Sequence, residues 1–297
     1  MTTLSPVVKR VDHMMIRVVG SSYDQLFSFL TQQLQLPVSW PVNDSTPGFK
    51  TGGVFAGNIS MEIFQSGMQQ TLPSPEPSQA QFYGIAFEPY DLATAVREVD
   101  KRGMAHLPLV PVPEGYPTGT MGSMWTLLFF DNLVGCDLSQ YQVAMKDARD
   151  LSPFFNEVFQ NGMAFLCEYN KTFTDTTQRR LNRQADLRAK NGGPLGLEGT
   201  QEIVVGVKDV ETAHRYWQHL FDPIAPTGSG IWQIGDGPAI RLVPHTQDGL
   251  VRLVWKVKSL QHARAFLREQ EIPHVENDEQ VTVTPAALFG LDIQLVE

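Results

Sequence analysis

Residues 12–30 read DHMMIRVVGSSYDQLFSFL, and the fold follows from how that stretch divides. Val11–Val18 is a run of mostly apolar, β-favouring residues and predicts a strand. Leu26, Phe27, Phe29, Leu30 and Leu34 then recur near the 3.6-residue spacing of a helix over 22–34. Ser21 or Ser22 supplies the cap, and Pro37 and Pro41 break the helix. Working outward, the same strand–helix opening recurs. Residues 201–217, QEIVVGVKDVETAHRYW, parallel residues 12–30. Residues 82–103, FYGIAFEPYDLATAVREVDKRG, parallel residues 251–272, VRLVWKVKSLQHARAFLREQEI. Repetition of this kind has to be settled before any short motif is weighed.

Each opening is followed by further strand signals. These are 49–55 and 59–64 after the first, 125–130 and 163–169 after the second, 231–234 and 239–243 after the third, and 280–284 and 292–296 after the fourth. Gly52-Gly53 and Gly57-Asn58 supply turn chemistry in the first set. A Pro/Ser/Gln stretch, 69–79, separates the first module from the second and reads as an exposed linker. The second module contains a long Pro/Gly loop, 108–122, and an insertion, 131–162. A basic helical pattern, 176–190, ends at Asn191-Gly192-Gly193-Pro194. The expected division is therefore an N-terminal domain over 1–170, a helical connector over 171–198 and a C-terminal domain over 199–297.

Composition removes several function classes. Acids outnumber bases 32 to 23, so the net charge of −9 argues against a nucleic-acid binder, which would show a basic face. A 42% hydrophobic content is enough for a core. No apolar run reaches the roughly 20 residues of a membrane-spanning helix, and residues 1–30 carry no secretory pattern. Two cysteines, Cys136 and Cys167, exclude a disulfide scaffold and make a reduced, cytoplasmic setting the expectation.

Four β-α-β-β-β modules in tandem, with a histidine on the first strand and glutamates on later ones, resemble the vicinal oxygen chelate superfamily. That group includes glyoxalase I, bleomycin-resistance proteins and extradiol dioxygenases; more narrowly, the chain is similar to bacterial glyoxalase-like domain proteins. The resemblance implies an α+β fold in which modules pair into two glyoxalase-like domains with curved mixed sheets. It also implies one divalent metal ion, Fe, Mn, Zn, Co or Ni, held in a cleft by residues on first and last strands. Carried over position by position, these fall on His13, Glu62, Gly84 and Glu168. Glycine at the third position leaves one imidazole and two carboxylates, a set that still suits a first-row metal with open sites for substrate. The matching positions of the C-terminal half fall near Glu202, Arg241, Arg252 and Gln294. Two arginines would repel a cation, so that half reads as a degenerate structural copy in which they neutralise Glu202, or as an anion pocket.

Each residue also has a plainer reading. A lone strand histidine is commonly a packed, hydrogen-bonded residue. Glu62 and Glu168 could each pair with an arginine, such as Arg17 or one of Arg179–Arg188. His214 and His219 lie five apart on one helix, the wrong spacing for a shared face, and His106, His245, His262 and His274 are scattered. Cys167 reads as a buried structural thiol. As a set, His13, Glu62 and Glu168 point to a metal or catalytic cluster, with Glu62 and Glu168 as acid–base candidates. The expected function is metal-dependent isomerase, lyase or ring-opening chemistry on a small, partly hydrophobic oxygenated substrate, through a metal-stabilised enolate. Dioxygenation ranks lower, because a second histidine is missing from the usual iron triad. A non-catalytic binder of the bleomycin-resistance type is the alternative. Expected partners are a small molecule, no nucleic acid and no membrane, in a monomer or homodimer.

Overall fold

A computed structural model of the chain describes residues 4–46, 49–66, 79–113, 123–135, 138, 162–172, 174–228 and 230–297. Most of the 69–79 linker, most of the 131–162 insertion, the 114–122 part of the long loop and Cys136 lie outside them.

The first module runs β1 (Val8–Val18), α1 (Ser22–Ser28), β2 (Val38–Thr46), β3 (Phe49–Phe55) and β4 (Ser60–Ser66). The expected helix over 22–34 is α-helical only to Ser28 and continues as a π-helical turn, Phe29–Gln33. β2 fell on a segment given no strand, because Pro37 and Pro41 masked it. A proline is tolerated on an edge strand, and β2 is the outermost strand of its sheet. The second module is β5 (Ala80–Pro89), α2 (Leu92–Lys101), β6 (Val110–Pro113), β7 (Ser123–Phe130) and β8 (Met163–Tyr169). The Pro/Gly loop thus contains β6, again a proline-bearing edge strand. The basic pattern forms α3 (Thr176–Ala189), which buries Leu187 and Arg180.

The third module is β9 (Leu197–Val207), α4 (Val210–Phe221), β10 (Ile231–Gln233) and β11 (Ala239–Pro244). The fourth is β12 (Gly249–Val257), α5 (Leu260–Glu269), β13 (His274–Glu276), β14 (Gln280–Val283) and β15 (Ile293–Val296). The fold is α+β, as expected. The third module has one strand fewer than the others among the described residues. The strands accordingly form one eight-stranded sheet, β2-β3-β4-β1-β5-β8-β7-β6, and one seven-stranded sheet, β10-β11-β9-β12-β15-β14-β13. Both are mixed: first and last strands pair parallel in the first, second and fourth modules, while β2/β3, β3/β4, β7/β8 and β14/β15 are antiparallel.

The chain divides into two compact units. One comprises residues 1–12, 84–176 and 205–250; the other comprises 13–83, 177–204 and 251–297. The core of the first is aromatic: Phe87 meets Trp217 and Phe221 edge-on, at 6.3 and 5.7 Å between ring centroids. In the second, Ile16, Leu26, Met61, Ile63, Leu187, Ile203, Trp255, Leu267 and Leu295 are buried. That unit also contains a close backbone approach. Gly57 has φ +88°, and a Cβ there would lie 2.3 Å from the α-carbon of Gly199, so only glycine serves. Beside it, Asn58 accepts from the Thr200 amide and donates to the Thr200 carbonyl, both at 2.9 Å. Among the described residues no helix is long and apolar enough to cross a membrane.

Candidate functional site

The second unit brings His13 and Glu62 together. β1 and β4 pair in parallel with His13 opposite Ser60 and Met15 opposite Glu62. Alternation along each strand therefore puts His13 and Glu62 on one face. His13 Nε2 lies 3.5 Å from Glu62 Oε2, with side-chain exposures of 7% and 18%. Thr51, on the neighbouring β3, donates its hydroxyl to Glu62 Oε1 at 2.7 Å. One carboxylate oxygen is thus tied down, and the other is turned toward the imidazole.

The separation is longer than a good N–H···O hydrogen bond, and it suits shared ligation. Two ligands bound at about 2.0–2.1 Å in adjacent tetrahedral positions lie about 3.4 Å apart. The pair can therefore supply two neighbouring positions of one divalent ion, one nitrogen and one oxygen. Among the described residues no group of three or more His, Cys, Asp or Glu is placed to hold a metal.

Glu168 lies in the other unit. It is exposed, and its Oε1 accepts from the backbone amide of Leu92, the first residue of α2, at 2.9 Å. Glu297 does the same for α5, accepting from the Leu260 amide at 3.2 Å. A carboxylate on a helix's first amides is favoured by the unpaired N–H groups and the helix dipole. The strand registers explain the pattern. His13 faces Ser60, Gly84 faces Met163 and Leu253 faces Ile293. Counting two residues on from Ser60 gives Glu62, and two on from Met163 gives Phe165, three residues before Glu168. On β15, where Leu253 faces Ile293, the position aligned with Arg252 is Asp292, and two on from it is Gln294, three before Glu297. The position matching Glu62 in the second module is accordingly Phe165, a residue the sequence reading passed over because Met163–Cys167 is buried on both faces and shows no alternation.

The fourth module's matching residues are satisfied internally. Arg252 donates through Nε and Nη2 to Asp292 Oδ2 at 2.9 and 2.7 Å, and through Nη1 to Gln294 at 3.3 Å. Gln294 in turn donates to Gln280. Arg252 is thus partnered by Asp292, where the sequence leads one to expect Glu202.

Other charged groups sit around β1. Arg17 is buried beneath the Tyr83 ring, 5.1 Å from guanidinium to centroid, and desolvation lowers its pKa. Tyr23 on α1 is buried, with Lys50 4.7 Å over its ring. Burial, and then the charges of Asp24 and Glu62, push its phenol well above its ordinary range. In the first unit Tyr169 donates to Asp12 at 2.8 Å; burial, foremost, keeps that phenol protonated. Cys167 is buried, as expected. His214 packs its ring 4.8 Å from that of Trp232, and His106 bonds Asp100 at 3.0 Å. Thr51 was missed by the sequence reading, although its position beside Gly52-Gly53, opposite the Glu62 strand, was a usable signal.

No protein-family model matches the sequence, and no curated protein matches it. Solved structures do. The 2,3-dioxygenase LapB from Pseudomonas sp. KL28 is 11% identical, with 98% of this chain and 92% of that one covered at a TM-score of 0.56. Homoprotocatechuate 2,3-dioxygenase from Brevibacterium fuscum, in an anaerobic complex with 3,4-dihydroxyphenylacetate, is 10% identical, with 100% and 82% covered at 0.56. A hypothetical protein from Staphylococcus aureus is 11% identical, with 96% and 98% covered at 0.55. At these identities the likeness establishes the fold, and the chain has the vicinal oxygen chelate fold.

Proposed function

We propose that this chain, having the vicinal oxygen chelate fold, is a divalent-metal-dependent enzyme acting on a small, partly apolar, oxygenated substrate at His13 and Glu62. One observation carries the reading: an imidazole nitrogen and a carboxylate oxygen on adjacent strands, largely buried, at a spacing that suits neighbouring ligands of one ion. His13 would hold the ion through Nε2 and Glu62 through Oε2. Bound there, a divalent ion supplies Lewis acidity toward two adjacent oxygens of a substrate. Thr51 fixes Glu62 Oε1 and so orients the carboxylate. On leaving the ion, Oε2 would be the atom to take a proton from a substrate carbon. The reaction class is proton transfer next to a carbonyl or enol, as in isomerisation or elimination. With one imidazole in the pair, ring-opening dioxygenation stands second, although two of the three similar structures named above are dioxygenases.

A second reading, a binder without catalysis, is favoured by the lack of a third protein ligand among the described residues. Metal analysis of protein purified without chelators separates the two. The enzyme reading expects close to one first-row metal ion per chain, lost in His13→Ala and in Glu62→Ala. A metal-free protein that takes up apolar ligands equally well in both variants would establish the binder.

A further inference from the structure

We infer that Trp40 is the substrate-recognition wall of the His13–Glu62 site, selecting a flat, conjugated carbon skeleton; this rests on the function proposed above. Trp40 stands on β2 opposite Gly53, and Gly53 stands opposite Glu62 on β4. These three positions form one row across the sheet and share a face. A Cβ built on Gly53 would lie 2.4–2.5 Å from three atoms of the Trp40 ring, Cδ2, Cε2 and Cε3. The indole therefore lies flat across the bare α-carbon of Gly53, and any larger residue there would lift it. The ring meets His13 edge-to-face, at 6.2 Å between centroids and 81° between planes. His13 is buried, whereas Trp40 remains partly exposed. A glycine-seated, partly open indole set perpendicular to the imidazole gives a ligand of that pair a rigid flat surface. Offset stacking on such a surface favours planar rings over puckered ones.

The test measures 4-nitrocatechol binding by calorimetry in the full-length protein and in Trp40→Phe, Trp40→Leu and Gly53→Ala, each checked for folding by circular dichroism. Phe keeps a stacking face, Leu keeps only apolar bulk, and Gly53→Ala moves the ring without removing it. Binding within threefold of wild type is expected for Trp40→Phe, and at least tenfold weaker binding for Trp40→Leu and Gly53→Ala. Wild-type affinity in folded Trp40→Leu overturns the inference, as does a wild-type protein that does not bind 4-nitrocatechol. Should Trp40→Leu fail to fold, the Gly53→Ala result decides in the same way. Metal content is measured alongside and is expected to be unchanged in all three variants. Failure of the stacking role and failure of the metal reading therefore register in different measurements.

Discussion

The first and fourth modules, both in the second unit, fill matching strand positions with opposite chemistry. In the first, His13 and Glu62 face each other at 3.5 Å, and one carboxylate oxygen is anchored by Thr51. In the fourth, Arg252 is closed onto Asp292 and Gln294. The backbone positions are the same, because both modules pair first and last strands in parallel with matching registers. The side chains decide whether the position serves a ligand or the protein itself. An arginine fork closed onto a carboxylate has no use for a cation, whereas an imidazole and a carboxylate at ligand spacing have the donor types that the proposed metal reading requires. The two modules offer the same frame, and in the fourth it holds a structural tie.

The contrast can be broken most severely at the first module. Glu62→Ala and His13→Ala should each weaken metal affinity by at least about 100-fold, beyond the 10–100-fold typical of outer-shell partners; equilibrium competition with a chelator measures it. Thr51→Val, which removes only the hydroxyl that holds Oε1, should fall within that range of about 10–100-fold. On the fourth module's side, Arg252→Ala should cost about 1 kcal/mol, the upper end for a partly exposed ion pair, read from denaturant unfolding, and leave metal content untouched. A loss of metal in Arg252→Ala would show that the two positions are not independent. Glu168→Ala and Glu297→Ala should each cost about 0.5 kcal/mol through a lost helix-end interaction and spare the metal. Metal loss in Glu168→Ala would instead identify that residue as a ligand.

The smallest effect is in pH. Asp91 and Asp209 cap α2 and α4, and hydrogen bonds from Thr94 and Thr212 hold their pKa values below the ordinary carboxylate range. A depressed folded pKa gives stability that is present above the unfolded value, about 3.9, and is lost as pH falls through the folded one. Asp91→Asn, which keeps a capping oxygen, should therefore flatten the decline of thermal stability between pH 5 and pH 3, as followed by circular dichroism.

How much could be read in advance differs between strands for a physical reason. Glu62 was legible because it alternates with Met61 and Ile63 on β4, and His13 because the repeat and the family resemblance placed it on the first strand; β1 itself is buried on both faces from His13 to Val18. The carboxylate at 168 was legible as an acid in an apolar strand, yet its direction was not. Met163–Cys167 is buried on both faces, so the two-residue period carries no signal there. Only pairing with β5 fixes which residue matches Glu62. β2 went unread because its prolines imitate a break, and Trp40 went with it.

The repeat, the α+β class and the residue types available for chemistry depend on local periodicity and on self-similarity along the chain, so they can be read from the order of residues. The tertiary structure decided which of those residues meet. Strand register placed Glu62 beside His13 and Glu168 at the start of α2. The bare α-carbon of Gly53 seated Trp40, and pairing between strands distant in sequence closed Arg252 onto Asp292. Each of these depends on a distance between strands, which no local pattern encodes.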